Sequence, residues 1–116
     1  MNVKYKKYID YIVNDIELPY LKSLNQYGLK QEECELVLSK VYNQPVTIKG
    51  NDVYDTNDNN IYYETSTGFW KKYEYDTNEN EIYREDSYGF WIKKEYDANG
   101  NIIYSENSNG VIRDNR

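Results

Sequence analysis

The chain contains 116 residues, among them 15 Tyr, 2 Trp and 2 Phe, and its formal net charge is −6. It has no His and one cysteine, Cys34, so neither a Cys/His zinc cluster nor an intramolecular disulfide can form. Without His there is no ordinary base to activate Cys34 or a serine, and we expect no enzyme activity and no cofactor. The excess of acids repels nucleic-acid phosphates and anionic membranes and favours a basic partner.

The net negative charge lies entirely in the second part of the chain. Residues 1–44 carry six basic and six acidic side chains, whereas residues 45–116 carry eight basic and fourteen acidic ones. The first residues lack the apolar run of a signal peptide, and no stretch approaches the roughly 18 apolar residues of a membrane span. We therefore expect a cytoplasmic protein, located in the host cytoplasm if a phage encodes it. We also expect two parts, a helical head (1–44) and an acidic β-hairpin repeat sheet (45–116).

Three short helices are predicted in the head. The first has an apolar face at helical spacing, made of Tyr5, Tyr8, Ile9, Ile12, Val13 and Ile16. Pro19 suits the first turn of a second helix, which ends at Gly28. The third covers about 30–42, where acids come first and Lys40 comes late. Its apolar positions are Cys34, Val37, Leu38 and Val41. We expect the helices to pack together and cover the first edge of the sheet.

From Tyr54 onward the chain repeats itself every 21 residues without insertion. The three units read YDTNDNNIYYETSTGFWKKYE, YDTNENEIYREDSYGFWIKKE and YDANGNIIYSENSNGVIRDNR. Each unit has two runs of aromatic and β-branched residues, which are typical of strands, separated by clusters of Asn, Asp and Gly, which are typical of turns. Self-similarity at a fixed period of this length indicates a repeat architecture, here of three two-stranded units.

The turn in the last unit sets the predicted strand register. Asn99-Gly100 is a strong hairpin sequence, because a type I′ turn needs positive φ at both central residues. A turn centred there gives these cross-strand pairs: Tyr96–Ile103, Glu95–Tyr104, Lys93–Glu106 and, one repeat earlier, Tyr75–Ile82 and Lys72–Glu85. With 46–54 opening the sheet, we predict an α+β protein. Its N-terminal bundle of about three short helices is followed by an antiparallel β-meander of six or seven strands.

This register sorts the side chains of the repeats onto two faces, because successive residues of a strand point to opposite sides. We call the first the phenylalanine face; it carries Phe69, Tyr73, Tyr75, Ile82, Phe90, Ile92, Tyr96 and Ile103. The second is the tryptophan face; it carries Trp70, Lys72, Glu74, Tyr83, Glu85, Trp91, Lys93, Glu95, Tyr104 and Glu106. The phenylalanine face is expected to be packed, and the tryptophan face to be partly exposed to solvent.

The core of the repeat carries a resemblance to known repeat families. Written as YEYDTNENEIYREDSYG and KEYDANGNIIYSENSNG, it resembles YD-type repeats of the Rhs kind and is also similar to MORN-like hairpin repeats. The resemblance covers about 54–116 and does not extend to the head, and only the third unit has the Asn-Gly of the YD pattern. It implies stacked β-hairpins that serve as shells, scaffolds or contact surfaces. Three units are too few to enclose a toxin.

Two motifs have both a structural and a functional interpretation. Asp-x-Asn-x-Asn, starting at Asp55, Asp76 and Asp97, matches the first ligand positions of a calcium loop, but the Gly at position six and the Glu at position twelve are missing. Asn and Asp also favour turns for conformational reasons, so cation binding stays open. The helices around Gly28 could form a helix-turn-helix, but the second opens with acids instead of base-reading residues. We predict no direct nucleic-acid binding.

The best candidates for partner binding are the aromatic and acidic columns of the repeats. We predict that a partner is bound by Trp70, Trp91, Tyr62, Tyr83, Tyr104, Glu64, Glu74, Glu85, Glu95 and Glu106. Exposed Trp and Tyr anchor protein interfaces. The same side chains would be core if the head packs over their face, and that alternative stays open.

The leading hypothesis is a non-catalytic protein-binding module. The frequent Asn, Tyr, Lys and Ile are typical of a phage or mobile-element protein, and a counter-defence inhibitor of the anti-CRISPR kind fits the charge. Its acids would replace phosphates on a nuclease or another nucleic-acid-binding protein. The alternative is a glycan- or cell-wall-binding repeat protein, because short aromatic hairpin repeats are also similar to such proteins. A third hypothesis is a homodimer formed through the terminal strand near 111–113.

Overall fold

The computed structural model describes residues 6–116, and Tyr5 of the predicted first helix lies outside them. The helices are α1 (Lys6–Asp15), α2 (Tyr20–Leu24), which continues as a 3-10 turn (Asn25–Tyr27), and α3 (Gln31–Tyr42). The strands are β1 (Thr47–Lys49), β2 (Asp52–Tyr54), β3 (Asn60–Glu64), β4 (Trp70–Tyr75), β5 (Glu81–Asp86), β6 (Trp91–Tyr96), β7 (Ile102–Asn107) and β8 (Ile112–Asp114). They form one antiparallel meander in chain order. The predicted α+β class is confirmed.

The helices begin and end where local sequence places them. α1 buries Ile9 and Ile12, as the apolar spacing predicts, although Tyr8 from the predicted face is 68 % exposed. The 3-10 turn after α2 ends at Gly28 with φ 64°, and α3 ends at Asn43 with φ 55°. Gly and Asn enter this left-handed region at low cost and so terminate helices. Within residues 6–116, no helix has the length and apolar character needed to cross a membrane.

The third helix uses its polar side chains to hold the first strand. The amide of Gln31 donates to the carbonyl of Ile48 at 2.8 Å, and the backbone N–H of Ile48 donates to the carboxylate of Glu35 at 2.8 Å. Val37 and Leu38 of the same helix are fully buried. The helix in question, α3, is the one that would read DNA in the helix-turn-helix interpretation. Its polar and apolar side chains are instead bonded to β1 and buried in the core.

The lone thiol lies on the same helix. Cys34 is half-buried and packs against the hydrophobic core. Burial raises the pKa of this thiol, and the neighbouring carboxylates of Glu33 and Glu35 raise it further. A thiol with a raised pKa stays protonated at neutral pH, which is typical of a structural cysteine.

One hydrophobic core joins the head to the beginning of the sheet. Its buried apolar residues are Ile9, Ile12, Leu24, Val37, Leu38, Val46, Ile48, Val53, Ile61 and Tyr62. No residue after Glu64 is buried. Strand β4 borders the core through Trp70 and Tyr75, and strands β5–β8 extend beyond it as a single layer. The molecule measures 53 × 29 × 22 Å along its principal axes.

The sheet has one strand more than predicted at its beginning. The segment 46–54, expected to be a single opening strand, folds as the hairpin β1–β2 with Ile48 opposite Val53. Gly50, with φ 61°, makes the reversal between them. The sheet thus has eight strands, because a left-handed glycine divides a run that looks continuous in its apolar pattern.

The predicted type I′ turn at Asn99-Gly100 is wrong. Gly100 has φ 83°, but Asn99 is not among the residues with positive φ. The hairpin closes one residue earlier, with the N–H of Asp97 donating to the carbonyl of Asn101 at 2.8 Å. Three residues lie between, and a left-handed residue ends the loop, which is the type I turn with a G1 bulge of longer hairpins. In the other two units Asp58 and Glu79 stand at the left-handed position.

The three-residue loop changes the register next to each turn. Tyr96 lies opposite Ile102 rather than Ile103, and Tyr75 lies opposite Glu81 rather than Ile82, with a bulge in both ladders. The predicted pairs involving these two tyrosines are therefore wrong. Beyond the bulge, the structure confirms the pairs Glu95–Tyr104, Lys93–Glu106 and Lys72–Glu85.

Candidate protein-binding surface

The helical head covers the tryptophan face of the sheet, and only at its first repeat. The ring of Tyr20, at the start of α2, lies 5.2 Å from the ring of Tyr62, and Trp70 packs partly buried against the core. The prediction that the phenylalanine face is the packed one is therefore wrong where the head lies, because the head packs on the tryptophan face. The reason is polar: α2 needs acceptors for its first N–H groups, and the tryptophan face provides them.

Tyr62 and Glu64 bind the first turn of α2. The hydroxyl of Tyr62 accepts the N–H of Tyr20 at 3.0 Å, and the carboxylate of Glu64 accepts those of Leu21 at 2.6 Å and Lys22 at 3.1 Å. The Tyr62 hydroxyl donates in turn to Glu64 at 2.8 Å. Burial, followed by this hydrogen bond to a carboxylate, raises the pKa of Tyr62. Tyr62 and Glu64, at 0 % and 5 % exposed, are thus structural and not accessible to a partner.

The same tyrosine–glutamate pair recurs in every repeat. We define the Tyr–Glu unit as a tyrosine that donates its hydroxyl to the glutamate two residues later. The donor–acceptor distances are 2.8, 3.2 and 3.0 Å in Tyr62–Glu64, Tyr83–Glu85 and Tyr104–Glu106. The hydrogen bond to Glu106 is the main cause of the raised pKa of Tyr104. Burial, followed by the nearby charge of Glu85, raises the pKa of Tyr83. Units two and three stand on the part of the tryptophan face that the helical head does not cover.

The lysines of the tryptophan face stack on aromatic rings. The ammonium of Lys72 lies 5.4 Å from the ring centre of Trp70 and 5.8 Å from that of Tyr20, and that of Lys93 lies 5.2 Å from Trp91. These are cation–π distances. Among the described residues, neither lysine forms an ion pair with the glutamate across from it, so the confirmed register brings Lys72 and Glu85 side by side without a salt bridge.

The third Tyr–Glu unit is covered by the end of the chain. The guanidinium of Arg116 lies 4.1 Å from the ring centre of Tyr104 and pairs with Glu95 at 3.2 Å and with Asp114 at 3.0 Å. Asp114 and Arg116 stand where the earlier repeats have a lysine and a glutamate, so the charges of this strand are reversed. Glu95 is therefore neutralised by a neighbour, while Glu74 is exposed.

Each of the three candidate calcium loops is a hydrogen-bonded turn. One carboxylate oxygen of Asp76 accepts the N–H groups of Asn78 and Asn80, both at 2.9 Å, and the turns at Asp55 and Asp97 repeat this arrangement. The N–H of Asn80 is the main cause of the lowered pKa of Asp76. Across residues 6–116, no three or more acidic, His or Cys side chains cluster in a way that could hold a metal ion. The motif is explained by turn formation.

The phenylalanine face has its own local contacts. Lys94 pairs with Glu81 at 3.1 Å, and Arg84 approaches the same carboxylate at 4.0 Å. At the far end of the strands, the ring of Phe69 lies 5.2 Å from that of Tyr88, which is 85 % exposed. This face is a mixture of ion pairs and aromatic contacts between strands, and it is not a second core.

A groove lies beside the end of the head, along the first and second repeats. Its volume is about 620 Å³, and Tyr42, Lys72, Tyr83 and Glu85 are among the residues that line it. The hydroxyl of Tyr42 is buried and finds no hydrogen-bond partner within the described residues. The carboxylate of Glu85 is close enough to add to the raised pKa of Tyr20, which burial mainly causes. The groove thus adjoins the uncovered Tyr–Glu unit of repeat 2.

The sequence did not indicate the roles that several residues play in this surface. Tyr20 and Tyr42 belong to the head, and no local pattern indicates that they meet the sheet. Lys72 and Lys93 were placed on the tryptophan face, but as partners of glutamates rather than of tryptophans. The covering role of Arg116 had a visible signal, because aligning the three units shows the charge reversal at their ends.

The chain was compared with known proteins. No family model matches it, and no curated protein gives a significant match. The resemblance to YD-type and MORN-like repeats stays a prediction, and the function is inferred from the contacts of the chain itself.

Proposed function

We propose that this chain is a non-catalytic protein-binding module whose second and third repeats dock on a partner. The observation that carries the proposal is the absence of any buried residue after Glu64, in a segment that includes Trp91, Tyr83 and Tyr104. A sheet that carries large aromatic residues is stabilised by burying one face against another layer. The head provides that layer for the first repeat alone, and a partner would provide it for the rest.

The charge of the repeats favours a basic partner. All of the net charge of −6 lies in residues 45–116. On the tryptophan face, Glu85 stands opposite Trp91 and Glu74 stands opposite Tyr83. A nuclease or another nucleic-acid-binding protein offers a basic groove that normally accepts phosphates, and carboxylates can occupy it. On this proposal the protein is an inhibitor of the counter-defence kind, encoded by a phage or mobile element.

The proposal is tested by capturing the partner and then measuring the affinity of the purified pair. Trp91→Ala should weaken binding at least tenfold, because buried aromatic anchors carry most of the energy of an interface. Tyr88→Ala is the matched control, since Tyr88 is an exposed aromatic residue off this face, and it should change the affinity less than twofold. Affinity should fall as salt rises, and nucleic acid should compete for the partner.

Two outcomes would contradict the proposal. One is a partner that binds equally well to the Trp91→Ala protein and independently of salt. The other is binding on a glycan array that is lost in both Trp70→Ala and Trp91→Ala, which would support the glycan hypothesis instead.

A further inference from the structure

The first repeat shows what a Tyr–Glu unit binds. Its ligand is the first turn of α2, whose three leading N–H groups lack acceptors within the helix. All three donate to the unit: that of Tyr20 to the Tyr62 hydroxyl, and the next two to the Glu64 carboxylate. Hydrogen bonds to an ionised carboxylate are about twice as strong as neutral ones. The repeat therefore contains a built site for a helix N-terminus, already occupied by the chain's own head.

An aromatic side chain completes the contact in the first repeat. The ring of Tyr20 lies 5.2 Å from the ring of Tyr62, and the ammonium of Lys72 lies 5.8 Å from its centre. The same ammonium lies 5.4 Å from Trp70, so Lys72 bridges the ring of the sheet and the ring of the ligand. The bound segment is thus recognised by two features, free N–H groups and an aromatic first residue.

The second repeat presents the same four side chains without that ligand. Glu85 stands opposite Trp91 and Tyr83 opposite Lys93, as Glu64 stands opposite Trp70 and Tyr62 opposite Lys72. Lys93 stacks on Trp91 at 5.2 Å, but it has no counterpart of Tyr20 among the described residues. No backbone N–H within residues 6–116 donates to the Glu85 carboxylate. The third repeat departs from this pattern, because Ile112 and Asp114 replace the Trp and the Lys.

The spacing of the repeats leaves room for a second helix beside the first. Equivalent units are two strands apart, which is about 9.5 Å at the usual strand separation. Packed helices lie about 8–10 Å apart. A helix bound to Tyr83 and Glu85 would therefore lie at packing distance from α2. The groove of about 620 Å³ between Tyr42 and these two residues is open at that place, and its volume is in the range of pockets that hold ligands.

We propose that the second repeat binds the first turn of a helix in a partner protein. The Glu85 carboxylate and the Tyr83 hydroxyl accept the leading backbone N–H groups, and the partner's aromatic first residue lies between Tyr83 and Lys93. This inference rests on the proposed function and names the segment of the partner that is recognised. The partner meets repeat 2 because α2 occupies the unit in repeat 1 and Arg116 covers the Tyr104 ring in repeat 3.

A peptide with the sequence of residues 18–28 is the probe, because this segment binds the first unit. It is titrated into the full 116-residue protein, and binding is followed by the NMR signals of backbone amides and tryptophan indoles. We expect saturable shifts at Trp91 and Glu85. A peptide N-methylated at the positions of Leu21 and Lys22 cannot donate there, and should bind at least tenfold more weakly. N-methylation at Gly28 is the matched control and should change the affinity less than twofold.

The protein side of the contact is tested by Glu85→Gln, which keeps the shape and removes the charge. We expect a loss of affinity of at least tenfold, against less than twofold for Glu32→Gln, which changes an exposed glutamate of α3 outside the repeats. Equal binding of the N-methylated peptide, shifts confined to the first repeat, or no shifts at all would each overturn the proposal. If the partner nevertheless needs Trp91, the proposed function stands and only the helix-turn specificity fails.

Discussion

The first and second repeats are close copies in sequence that lie in different environments. Tyr62 and Glu64 are buried under α2, whereas Tyr83 and Glu85, in the same columns and with the same mutual hydrogen bond, are half-buried beside an open groove. The difference shows that repeated columns preserve a contact pattern, while proximity to the head decides whether that pattern supports folding or remains available to a partner. The repeats can therefore be tested against each other, residue by residue.

The largest expected difference lies in the glutamates. Glu64→Ala should lower the free energy of unfolding by about 3 kcal/mol, because it leaves the N–H groups of Leu21 and Lys22 and the Tyr62 hydroxyl without a buried acceptor. Glu85→Ala, which removes a half-exposed carboxylate, should cost less than about 1 kcal/mol. Urea denaturation of both variants measures the two values. Equal losses would show that the two units have the same structural role.

A smaller difference is expected for the tyrosine hydroxyls. Tyr62→Phe removes one acceptor and one donor from buried hydrogen bonds and should cost about 2 kcal/mol. Tyr83→Phe removes one half-exposed hydrogen bond, and the expected loss is below about 0.5 kcal/mol. Thermal and urea unfolding would give both numbers, and amide exchange of α2 should speed up in the first variant only. If α2 stayed protected in Tyr62→Phe, the capping role of this hydroxyl would be refuted.

The turns permit a comparison between the second and third repeats. Glu79 has φ 65° at the position where the third repeat has Gly100 with φ 83°. A residue with a side chain is strained in this region, so Glu79→Gly should stabilise the protein by about 0.5–1 kcal/mol. Gly100→Glu should destabilise it by about 1 kcal/mol for the same reason. Urea midpoints of the two variants should move in opposite directions, and movement in the same direction would contradict the turn assignment.

The smallest expected effect is a dependence on pH. Backbone N–H groups, chiefly those of Asn80 and Asn101, lower the pKa of Asp76 and Asp97 in the folded protein. Their contribution is complete above the unfolded-state pKa of about 3.9, and it is lost as pH falls through the lower folded-state pKa. The double variant Asp76→Asn, Asp97→Asn should therefore lose less stability than the wild type between pH 5 and pH 2. Urea midpoints of both proteins at the two pH values measure this difference. An equal fall of the midpoint in the variant and in the wild type would exclude this linkage.

The order of the elements could be predicted because it depends on local patterns. The apolar spacing around Ile9 and Ile12, the helix ends at Gly28 and Asn43, and the 21-residue period all involve residues close in the chain. The register could be predicted only away from the turns. Near them, Asn99-Gly100 is compatible with two hairpin types, and the hydrogen bonds of Asp97 select the longer one, which shifts Tyr96 by one residue.

The candidate site was predicted as columns of equivalent residues. The sequence did not show which residues of a column are buried under the head and which are open to a partner. The aromatic and acidic columns do lie together on one face, because strand alternation and a constant period place them there. The different environments of Tyr62 and Glu64 and of Tyr83 and Glu85 could not be predicted, since they depend on where α2 lies. The hydrogen-bonded residues of α2 and β3 are 42 or 43 positions apart in the chain.

The sequence by itself determined the class, the order of the helices, the strands of the repeats and the period that aligns their columns, since these follow from contacts between neighbours in the chain. Only the tertiary structure decided which face the head covers and how far it extends along the sheet. The reason is that α2 docks through its own backbone N–H groups, and backbone donors carry no mark in the sequence. The repeats that the head leaves uncovered are where we expect the partner to bind.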